Sequence, residues 1–93
     1  MSLVIDGEAG SITVPDSTLL AIAVTAAQRI EGIQVLRRAS IDLDEQVVRL
    51  PVSARRGEPL LELGRAAQDE VARSLEAMCG ISPRIELTIA ELA

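Results

Sequence analysis

Two guanidiniums, a glycine turn and the start of a helix meet in Arg55-Arg56-Gly57-Glu58-Pro59, the stretch of this chain best suited to holding an anion. Glu58 and Glu62 fall in the same first turn and would repel it. Solvated arginines beside acids that complement the helix dipole are therefore the favoured reading. Cys79 is the only thiol. It follows Met78 at a helix C-terminus, where the dipole has the wrong sign to stabilise a thiolate, so it reads as a small, half-buried packing residue. Arg37-Arg38 reads as a solvated loop or as part of a docking surface for an acidic partner. Beyond these residues, chemistry is defined by what is missing. The chain has no His, Lys or Tyr. A Ser–His or Cys–His pair, a Schiff-base lysine and a zinc site of the His/Cys type are all excluded. The carboxylates show no metal-loop spacing. The sequence predicts no catalytic residues, no cofactor and no metal: not an enzyme.

The elements that carry these residues are clearest in the second half. Leu60, Gly64, Ala67, Val71, Leu75 and Met78 recur at three- and four-residue spacing, which places them on the inner face of a helix. Glu62, Arg65, Asp69, Arg73 and Glu76 form the opposite face, a ladder of alternating charge. Gly80 is a helix stop and Pro83 cannot continue one. The period then changes to two, with Ile85, Leu87 and Ile89 on one side of a strand and Arg84, Glu86 and Thr88 on the other.

Upstream, residues 1–9 read as a loosely ordered segment, and residues 10–93 as one domain. Ile12 and Val14 mark a short strand. A helix capped by Asp16, or alternatively by Ser17, follows to about Glu31 and stops at Gly32. Its inner face is Leu19, Ile22, Ala23, Ala26 and Ile30. Its outer face, with Leu20 at the edge and Ala21, Val24, Thr25 and Gln28 across it, carries no charge. An Ala-rich helix of high propensity accounts for that face; so does a surface covered by another subunit or a partner protein. Residues 41–43 and 48–54 alternate about Asp44-Glu45-Gln46 as a β-hairpin. Pro51 donates no ladder bond, which predicts that one side of its strand is open or bulged and argues against a central place. The fold class is α+β: a two-layer sandwich of β-α-β-β-α-β order, two helices on one face of a small three- to four-stranded sheet.

Charge and composition bound the partners. Net charge is −5, but residues 29–56 hold six Arg against four acids while the rest holds three against ten. Arg37, Arg38, Arg49, Arg55 and Arg56 thus form a candidate basic patch, the basis of an alternative reading as a small nucleic-acid-binding domain. The net charge and the absence of any aromatic ring for stacking argue against it. A lone Cys predicts a reducing compartment. No apolar run reaches the ~20 residues of a membrane span, so no direct insertion is expected.

In order, Gly10-x-Ile12-x-Val14, Ile30-Glu31-Gly32-Ile33, the hairpin Ile41-x-Leu43 to Val48-x-Leu50-x-Val52, Gln68-x-x-Val71, Glu76-x-Met78-Cys79-Gly80-Ile81 and Ile85-x-Leu87-x-Ile89 resemble the alkaline shock proteins, the Gls-type general-stress family. The resemblance spans roughly residues 10–92. It implies a non-enzymatic protein of cell-envelope stress homeostasis that self-associates as a homo-oligomer. It also implies a cytoplasmic location, with membrane association through a separate anchored partner protein. Cys79 stands where the family has Thr, the aromatic residue before Gly57 is absent, and there are no charged tails. The resulting expectation is a bacterial protein-interaction module whose contact face is Leu20, Ala21, Val24, Thr25 and Gln28.

Overall fold

The computed structural model describes residues 1–93. Its elements are β1 (Ser2–Gly7), β2 (Gly10–Pro15), α1 (Asp16–Gln28), β3 (Ile33–Val35), β4 (Ser40–Asp42), β5 (Val47–Ala54), α2 (Leu60–Cys79) and β6 (Arg84–Leu92). The larger sheet is attached entirely to β5. β3 and β4 share one of its edges, both antiparallel, while β6 runs parallel along the other. A parallel neighbour needs a crossover, and α2 supplies it. Both helices lie on one face, which makes the α+β class expected of the sequence; the order is β-β-α-β-β-β-α-β, with β1 and β3 added to the expected β-α-β-β-α-β and β2 outside the larger sheet. The core joins Val48, Leu50, Val52 and Ala54 of β5 to Ala23, Ala26 and Ala27 of α1 and Ala67, Val71 and Leu75 of α2. With no aromatic ring available, alanine at the helix contact lets the backbones come close.

Pro51 corrects one expectation. Its strand is the central one, and the proline fits because it sits where the opposite edge is broken. Residues 36–39 lie opposite only Leu50 and Pro51, between the β3 and β4 ladders. Arg38 turns the chain there with φ 73°. The Leu36 N–H donates to the Pro51 carbonyl at 2.8 Å, so the Pro51 nitrogen also faces this break, and no bond to β6 is lost. The predicted bulge is therefore real, and it is what allows a central proline.

Three further differences have local causes. Residues 2–7, expected as a loose lead-in, form β1 and pair with β2 from Ser2↔Pro15 to Gly7↔Gly10 in a separate two-stranded sheet. Helix α1 stops at Gln28, before Glu31, and neither Asp16 nor Ser17 caps it. The extended Pro15 holds the N-cap position, which leaves Asp16 as the first helical residue. In α2 the inner face swings at both ends: Leu60 and Met78 are exposed and Cys79 is buried. The stop at Gly80 stands as expected, left-handed at φ 69°, with its N–H donating to the Glu76 carbonyl at 2.9 Å.

Gly64 is buried on the side of α2 that faces β6. A methyl group there would lie 3.7 Å from Leu87 Cδ2 and 3.8 Å from Ile89 Cδ1, ordinary contact distances. Glycine costs a helix interior up to about 1 kcal/mol relative to alanine. Gly64→Ala is therefore expected to raise stability by about 0.5–1 kcal/mol in urea denaturation; a loss would show that α2 and β6 have no room for the methyl.

Candidate interaction surfaces

The outer flank of α1 divides into two parts. Ala21, Thr25 and Gln28 are exposed, whereas Leu20 and Val24 are half-buried against the core. The expected five-residue face is thus narrower: its Leu20 edge and Val24 turn toward the sheet. Gln28 is also engaged at home, its side-chain carbonyl accepting from the Val35 N–H at 3.1 Å. That amide points away from β5, because the next residue, Leu36, donates toward it. Gln28 therefore closes the outer edge of β3.

The open part of α1 continues onto α2. Thr18, Ala21, Ile22, Thr25 and Arg29 line a shallow groove of about 280 Å³ whose far wall is Met78, 64% exposed. Arg29 marks its polar end, donating to Glu70 at 3.3 Å and to the Ser74 hydroxyl at 3.4 Å. Glu70 also meets Arg73 at 3.4 Å. The charge ladder expected along α2 does not close otherwise: Glu62, Arg65, Asp69 and Glu76 make no ion pair with one another, since none is within bridging distance. Glu70, outside that ladder, makes the ion pair between the two helices.

The arginines of the candidate basic patch are unequally placed. Arg49 lies on the sheet face away from the helices and pairs with Glu45 at 3.4 Å and Glu86 at 3.5 Å. Arg55 pairs with Glu31 at 3.4 Å and Glu58 at 3.5 Å, so the acids beside the glycine turn occupy the guanidinium that an anion would need. Arg37 and Arg38 sit in the exposed break of the sheet edge, and Arg56 is exposed beyond β5. Cys79 is buried at the end of α2.

Nothing in the residue pattern marks a second groove. Leu60, Leu61, Gly64 and Arg65 of α2 face Leu87 and Ile89 of β6 across about 370 Å³. The β6 edge beneath it is the free edge of the sheet. Arg84 donates toward β5, so alternate residues Ile85, Leu87 and Ile89 turn their backbone groups outward. Gln68 donates its amide to the Ile85 carbonyl at 3.0 Å and closes that position only. The helical stripe that reads as core interior at Leu60 in fact ends at this opening.

Against models of protein families, curated proteins and solved structures alike, the chain finds no match.

One neutral hydrogen bond contributes about 1 kcal/mol net. Gln28→Ala is accordingly expected to raise hydrogen exchange at the Val35 amide about fivefold, leaving circular dichroism native. Unchanged exchange at Val35 would return Gln28 to the list of free surface residues.

Proposed function

We propose that this chain is a non-enzymatic protein-interaction module that associates with itself and docks onto a partner protein. The observation that carries the reading is the contrast between the two helices. The outward side of α2 is studded with acids and arginines, while α1 presents Ala21 and Thr25 beside the exposed Met78, with charge only at the Arg29 end of the groove. A helix flank without charges has nothing to lose on being covered, whereas buried unpaired charges are costly. The resemblance to the alkaline shock family points the same way, toward envelope-stress homeostasis and a cytoplasmic protein held at the membrane by an anchored partner. No helix of this chain is long and apolar enough to cross a membrane; the resemblance assigns membrane attachment to the partner.

The narrower face selects its own variants. Val24→Glu would place a carboxylate against the core and confuse folding with association. Ala21→Glu and Met78→Glu sit on open surface. Each is expected to weaken self-association roughly 30-fold, the effect of about 2 kcal/mol from an unpaired charge at an interface. Light scattering would show a lower mass while circular dichroism remains native. An oligomer of unchanged mass in both variants would remove this face.

A further inference from the structure

We propose that the β1–β2 hairpin of one copy docks into the groove between β6 and α2 of a second copy, adding its strands to the free edge of β6. The inference rests on the self-association reading above but names a different surface, and four observations support it. The first is that the hairpin is amphipathic. Its register pairs Leu3 with Val14 and Ile5 with Ile12, so these four share one face. Toward the tip that face is uncovered, with Ile5 41% and Ile12 64% exposed. A lone two-stranded hairpin is marginal in water, and a third strand with a covered apolar face is what stabilises one.

The groove is the matching half. Leu61, 67% exposed, stands above the edge at which Leu87 and Ile89 offer unpaired backbone groups. A strand added there would pair with those groups while its apolar face turned toward α2, the arrangement of an edge-strand complex. Unlike Ile85, these two positions have no glutamine over them. Long free edges with aliphatic neighbours are normally covered or charged in soluble proteins.

Charge supports the pairing. Asp6 precedes the hairpin turn and Glu8 lies in it, and Arg65 stands in the groove wall without an ion pair. Geometry makes the contact intermolecular. Helix α2, with 20 residues, is about 30 Å long; it begins at the groove and ends at Gly80, beside the base of β1. The hairpin, about 20 Å long, extends beyond that far end. Helix and hairpin together account for the 51 Å long axis of a molecule only 21 × 18 Å across. A hairpin at one pole cannot reach its own groove at the other. Each copy therefore carries one donor and one acceptor, and the contact joins two different patches of the chain.

The experiment uses the full chain and light scattering across a concentration series. Ile12→Asp and Leu61→Asp alter exposed side chains, and each is expected to weaken association about tenfold or more. Their equimolar mixture retains one intact donor and one intact acceptor, so it is expected to give a species of twice the mass of either variant alone. Charge exchange is the second measurement: Arg65→Glu lowers the mass, and mixing it with a copy carrying Asp6→Arg and Glu8→Arg restores it. A mixture that stays at the mass of the separate variants, with wild type still oligomeric, overturns the hairpin contact and leaves the α1 face standing. A wild type of single-chain mass throughout overturns both.

Discussion

The fold depends on β5 being sealed on its helix face by side chains no larger than leucine. Val48, Leu50, Val52 and Ala54 form one row, and every other element of the larger sheet or helix layer packs against that row or pairs with its backbone. Without rings to span gaps, such a core works only if the backbones approach closely, which the alanines of α1 and α2 permit. The same requirement accounts for the break at residues 36–39. A continuous edge strand would have needed a donor at Pro51; the excursion removes that need and keeps β5 straight between its neighbours.

A sheet with β5 at its centre has two outer edges, and each helix sends one glutamine over the nearer of them. Gln28 reaches the Val35 amide beyond β3, and Gln68 reaches the Ile85 carbonyl beyond β6. The two edges are not equally guarded. On the β3 side the break and the three-residue strand leave little to pair with. On the β6 side the strand runs nine residues, and a single glutamine closes only its beginning. The asymmetry leaves the β6 side the more open one, with the exposed aliphatics of α2 beside it.

Much of this architecture is legible in the residues. The 3.6-residue stripe of α2, its glycine stop, the alternation of β6 and the β4–β5 hairpin all follow from local pattern, because side-chain direction along a helix or strand is a local property. Strand order is not local. Nothing in Val48 to Ala54 says which neighbours it has, and Pro51 misleads because its place depends on an interruption in another strand. Met78 and Cys79 are adjacent at a helix end, where a small rotation decides which one faces inward. The division of the α1 flank depends on where β3 lies, which turns Val24 inward and engages Gln28. The β1–β2 hairpin was hidden by the shortness of Leu3-Val4-Ile5, although its turn, Gly7-Glu8-Ala9-Gly10, is an ordinary one.

The two edge glutamines use opposite ends of the same functional group. Gln28 presents its oxygen to an N–H, and Gln68 its nitrogen to a C=O; each partner dictates the orientation. Slow loss of ammonia would convert each side chain to a carboxylate. At position 28 the acceptor would survive. At position 68 a donor would become a negative charge facing a carbonyl oxygen, and the start of β6 would lose its cover. Of the two sites, only deamidation at position 68 would therefore unlatch the sheet, along the side already most open.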